Sequence, residues 1–113
     1  MSGYSPIKET LVLTRGADYV HRFQKAAKDP DFPEGTTAEI VITRGTSMSA
    51  PVLATWPAYD VNPDALEFWV QTTETDAIPD RVNWRLLVHY PAQSPESEVQ
   101  DFCWMRGTVK REQ

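Results

Sequence analysis

Apolar and polar residues alternate most cleanly from Val82 to Tyr90, VNWRLLVHY. Val82, Trp84, Leu86, Val88 and Tyr90 fall on one side of the pattern; Asn83, Arg85 and His89 fall on the other, with Leu87 among them. A period of two, rich in β-branched and aromatic side chains, predicts a half-buried strand. At about 3.3 Å per residue it runs roughly 30 Å, long enough to centre a core. The same period recurs through 8–14 (Leu11, Leu13) and 18–25 (Tyr19, His21, Phe23). It returns in 37–43, where Ala38, Ile40 and Ile42 oppose Glu39, Val41 and Thr43, and in 66–72, where Leu66, Phe68 and Val70 oppose Glu67, Trp69 and Gln71. A short strand at 52–56 stops at Pro57. Residues 99–105 and 107–111 predict one bent strand or two short ones, with Gly107 as a bulge.

Between these segments, 26–36, 44–51, 57–64 and 91–98 collect Pro, Gly, Asp, Asn and Ser, and predict loops. Phe32 is the residue expected to pin the first of them. Gly16 and Gly35 fit turns that need unusual backbone angles, as Gly107 fits a bulge. Residues 73–79 leave room for one helical turn capped by Thr73 or Thr75. About seven or eight strands without a long amphipathic helix predict an all-β antiparallel sandwich. It forms a single domain over 8–113, after a flexible lead-in at 1–7. Its predicted core is Tyr19, Phe23, Ile40, Ile42, Phe68, Trp84, Leu86 and Val88.

Composition narrows the function. The 113 residues are 41% hydrophobic and 24% charged, which is globular. The net charge of −5 argues against a nucleic-acid partner, because phosphate binding asks for a basic face. A single cysteine, Cys103, leaves neither an internal disulfide nor a cysteine-based zinc site. The first ten residues lack the apolar run of a signal peptide, and no apolar stretch is long enough to span a membrane.

One segment carries apparent chemistry. Gly45 to Pro51, GTSMSAP, resembles the stretch holding the nucleophilic serine of subtilisin-like proteases, with Ser47 in that place. A serine hydroxyl needs a positioned base, itself oriented by a third group. The Asp and His segments that supply them in that family are missing. His21 and His89 lie in strand patterns, and Pro57 stops the chain where a helix should continue. The expectation is therefore no enzyme, with a serine hydrolase as the remote alternative. His21 and His89 are two ligands without a third, so hydrogen-bonded strand histidines are expected rather than a metal site. Asp29, Asp31 and Glu34 lack the spacing of a calcium loop. No metal, cofactor or small-molecule ligand is expected. Trp69, Val41 and Leu87 fall on faces opposite the core; they are either scattered surface residues or, if clustered, a protein interface. An exposed coplanar pair among Trp56, Trp69 and Trp104 would instead favour a carbohydrate- or host-surface-binding module.

The order of segments adds a family. A Thr-Arg-Gly-Ala-Asp turn (14–18) leads into the aromatic strand of Tyr19 and Phe23. Then come Phe-Pro-x-Gly-Thr-Thr-Ala-Glu-Ile (32–40), Ile-Pro-x-x-x-x-Trp-Arg (78–85), Tyr90-Pro91 and Trp-x-x-Gly-x-Val-x-Arg (104–111). Together they resemble the LtfC-like β-sandwich proteins of phages that infect actinobacteria. They are also distantly similar to the immunoglobulin-like N-terminal domains of phage baseplate upper proteins. The resemblance implies an immunoglobulin-like sandwich and no catalytic residues. It further implies a virion protein, passing through the host cytoplasm during assembly, whose partners are other phage structural proteins and further copies of itself.

Overall fold

The computed structural model describes residues 6–47, 49–91 and 100–112. Within them the chain forms β1 (Ile7–Lys8), β2 (Leu11–Thr14), β3 (Tyr19–Gln24), β4 (Thr37–Thr43), β5 (Val52–Pro57), β6 (Asp60–Val61), β7 (Ala65–Val70), α1 (Thr72–Thr75), β8 (Asn83–Tyr90) and β9 (Gln100–Glu112). The larger sheet has the order β1-β9-β8-β4-β5, with β2 also pairing β9; the smaller has the order β3-β7-β6. The two layers form an immunoglobulin-like sandwich, with a four-strand run in one sheet facing three strands in the other.

The predicted central strand, β8, lies between β4 and β9. Trp84, Leu86 and Val88 point inward and are at most 1% exposed. From the larger sheet they meet Leu11, Leu13, Ile40, Ile42, Trp56, Trp104 and Val109; from the smaller, Phe23, Leu66, Phe68 and Val70. Phe23 joins the layers: its ring lies 5.7 Å from Phe68, 6.2 Å from Trp84 and 6.4 Å from Trp104. Tyr19 sits half-buried at the margin of this core, and burial holds its hydroxyl well above the usual tyrosine range.

Four features depart from the pattern read in the sequence. The 8–14 segment is two strands, not one, and both run parallel to β9. The break follows Glu9, whose carbonyl leaves the ladder to accept the indole N–H of the buried Trp84 at 3.1 Å. Gly107 makes this possible without being a bulge. It pairs regularly with Trp84, and a Cβ there would collide with the Glu9 carbonyl. The bulge instead falls where Leu86 faces Met105 and Leu87 faces Cys103, leaving Trp104 as the extra residue, turned into the core. A ninth strand, β6, occupies part of the stretch read as irregular. Pairing also starts at Ile7, within the expected lead-in.

Gly16 and Gly35 sit in turns at φ of +79° and +89°. The helical turn starts at Thr72, and its cap comes from outside. The Asp18 carboxylate accepts from both the Thr72 amide and its hydroxyl at 2.8 Å. Arg111 ties the end of β9 to this turn, donating to the Thr75 and Ile78 carbonyls at 2.7 and 3.1 Å. Phe32 closes its loop by burying against Tyr90 and Trp104.

Candidate interaction surfaces

The outer face of the smaller sheet carries an exposed apolar cluster. Val20 on β3 stands directly across from Trp69 on β7, and the Tyr59 ring lies 5.7 Å from Trp69 at 62°. Val20 and Tyr59 are each 68% exposed and Trp69 is 54% exposed. Trp69 is nevertheless held: its indole N–H donates to Asp18 at 3.0 Å. That bond, with those from Thr72, holds the Asp18 carboxyl below the usual aspartate range. Charged groups rim the cluster, with Arg22 bridging Glu67 at 3.3 Å and Asp64 at 3.4 Å. An apolar centre with a polar rim is the anatomy of a protein contact.

The outer face of the larger sheet is ordered in rows by the strand register. Lys8, Arg106, Arg85 and Val41 lie side by side across β1, β9, β8 and β4; Cys103, Leu87 and Glu39 form the next row, and Asp101, His89 and Thr37 the third. Val41 is buried and Leu87 half-buried. These two share a face, while Trp69 stands on the outer face of the other sheet, so the three candidates do not form one patch. Val20 and Tyr59 complete the cluster around Trp69. Alternation places Val20 opposite the inward Tyr19 and Phe23, whereas Tyr59 lies in a stretch without a readable period.

His89 places Nδ1 at 2.8 Å from Asp101 and Nε2 at 2.9 Å from Glu39. The Asp101 bond foremost raises its pKa above the ordinary histidine value; burial opposes it, and the Glu39 bond adds to the rise. Burial pushes the Cys103 thiol up, although Arg85 and Arg106 pull the other way. His21 belongs to the other sheet. It faces a cleft of about 590 Å³ between β2 and β3 and packs 4.5 Å from Phe23 and 6.1 Å from Tyr19. The two histidines therefore share no site, and among the described residues no group of three or more His, Cys, Asp or Glu is arranged to hold a metal.

The GTSMSAP segment is the connection between β4 and β5. Arg44 donates to the Pro51 carbonyl at 3.0 Å and Ala50 to the Ser47 carbonyl at 3.1 Å, closing a tight loop. The Ser47 hydroxyl meets Ser49 at 3.3 Å, not either histidine; Met48 lies outside the described residues. Of the acidic loop, Asp31 pairs with Lys25 at 3.3 Å. Trp56 and Trp104 are core residues at 3% and 8% exposure, so no coplanar exposed tryptophan pair forms.

The family model of the LtfC-like β-sandwich domain matches residues 5–112. The chain belongs to the LtfC-like family. No curated protein matches it. Among solved structures, the extracellular domain of the voltage-gated sodium channel β4 subunit aligns over 100% of this chain and 99% of its own. The identity is 5% and the TM-score 0.38; that domain forms parallel homodimers with a role in cell–cell adhesion.

Proposed function

We propose that this LtfC-like chain is a non-enzymatic structural protein of a phage particle, tail-associated or a head-to-tail accessory, that works by binding other virion proteins. The observation carrying this reading is the Val20, Tyr59 and Trp69 cluster. Exposed aromatic side chains are the residue type that dominates binding energy at interface centres. A Trp already fixed by Asp18 loses little side-chain freedom on docking, which preserves affinity. Among the described residues no strand pairs the outer edge of β3, which adds a second means of contact, because an unpaired edge accepts a strand from a neighbour. Residues 1–5 of the lead-in and most of the 91–98 loop lie outside the described residues.

Quantitative mass spectrometry of purified particles of the source phage, scaled to the major capsid protein, tests the proposal. The expected result is the chain at a fixed stoichiometry. In particles carrying Trp69→Ala, incorporation falls at least tenfold, while the purified variant keeps its strand circular dichroism. Absence of the wild-type chain from particles defeats the reading.

A further inference from the structure

The row Lys8, Arg106 and Arg85 is an electrostatic anomaly. Arg85 faces Arg106 directly across β8 and β9, and Arg106 faces Lys8 directly across β9 and β1. Like charges in directly opposed sheet positions destabilise the pairing. Among the described residues none of the three joins an ion pair, although the chain carries sixteen acidic residues against eleven basic ones. Glu9 lines the same pocket, and among the described residues it forms no ion pair with them.

The row also borders a cavity. A pocket of about 680 Å³ is lined by these three cations together with Asn83, Thr108 and Thr46. Asn83 stands across from Thr108, two residues along the strands from the two arginines and on the same face. The neighbouring hydroxyl of Thr43 donates to the Gly45 carbonyl at 2.6 Å, which folds the 45–46 turn into a wall of the pocket. The Asn83 amide and the Thr108 and Thr46 hydroxyls are thus donors beside the positive charge. Two guanidinium forks, one ammonium and an amide suit an oxyanion, since Arg meets carboxylate or phosphate through paired N–H groups. The acidic remainder of the chain disfavours a long polyanion, so the match is to a compact group.

We propose that this pocket binds a multiply charged oxyanion, held by Lys8, Arg106 and Arg85 and oriented by Asn83 and Thr108. Bound charge turns the opposed cations from a cost into a clamp. The group comes either from free phosphate or from the carboxylates of an acidic partner segment. The site does not depend on the chain being a virion component, so failure of one reading leaves the other standing.

The test titrates the purified chain, at constant ionic strength, with inorganic phosphate and separately with an N-acetylated triglutamate peptide. Amide shifts are followed by ¹H–¹⁵N NMR and melting by calorimetry. Expected are saturable shifts centred on Asn83, Arg85, Arg106 and Thr108 and a raised melting temperature with at least one probe. A response to phosphate alone assigns a free anion. Tighter binding of the peptide assigns a partner's side chains. Arg106→Gln and Lys8→Gln should each weaken binding at least several-fold. Ligand-free Arg106→Gln should melt no lower than wild type, because it removes two like-charge contacts. No saturable response to either probe, unchanged binding in both variants, or a lower melting point for ligand-free Arg106→Gln overturns the proposal.

Discussion

His89 holds a proton more readily than a free histidine because each ring nitrogen faces a carboxylate, Asp101 from β9 and Glu39 from β4. The effect on stability has a definite sign. A group whose pKa is raised by folding stabilises the native state fully below its unfolded value, about 6.5, and loses that contribution as pH rises through the higher folded value. The denaturation midpoint of the chain should therefore fall between pH 6 and pH 9. In His89→Gln that part of the slope should flatten. Urea titrations at the two pH values check it, and a midpoint that climbs over this range in wild type but not in the variant would refute the assignment. Asp18, whose pKa is lowered, acts at the opposite end, losing its contribution only as pH falls through the acid range, so the two do not overlap.

At the scale of elements, β3 shows how pairing divides a strand. Lys25 donates to the Asp64 carbonyl at 3.0 Å, which puts Phe23 with Leu66 and His21 with Phe68 in the hydrogen-bonded positions of the antiparallel ladder. The amides of Val20, Arg22 and Gln24 then point away from β7, at an edge that no strand among the described residues pairs. Hydrogen exchange should alternate, with His21 and Phe23 protected and Val20, Arg22 and Gln24 fast; uniform protection along 20–24 would mean that the edge is covered. Periodicity in the sequence locates this strand and the inward side of Tyr19 and Phe23, as it does for β4, β7 and β8. It says nothing about which strands are neighbours. A period of two is the same for parallel and antiparallel pairs, so the parallel docking of β1 and β2 on β9 was not legible. Nor was the layer to which each outward residue belongs, which is why Val41 and Leu87 separate from Trp69. The break after Glu9 depends on a contact between residues 9, 84 and 107, which no local pattern contains. At two residues, β6 is too short to carry a period at all.

For the whole molecule, neither sheet has a core of its own. The inward residues of the three-stranded layer, Phe23, Leu66, Phe68 and Val70, are buried only because the larger layer covers them, and Phe23 contacts Trp84 and Trp104 across the gap. Arg111 adds a polar tie between the end of β9 and the helical turn after β7. Separating the layers would expose both apolar faces at once, so the chain should unfold in one transition. Far-ultraviolet circular dichroism reports the strands, and tryptophan fluorescence reports Trp56, Trp84 and Trp104 in the larger sheet together with Trp69 in the smaller. The two melting curves should coincide. Truncating Phe23 to Ala removes the ring shared by both layers and should cost about 3–5 kcal/mol, a large part of the roughly 5–15 kcal/mol typical of a folded domain. Because that ring belongs to both layers, the variant should move the two curves together. If fluorescence from Trp69 changed first, with the remaining strands still folded, the smaller sheet would be an independent unit and the shared-core argument would fail.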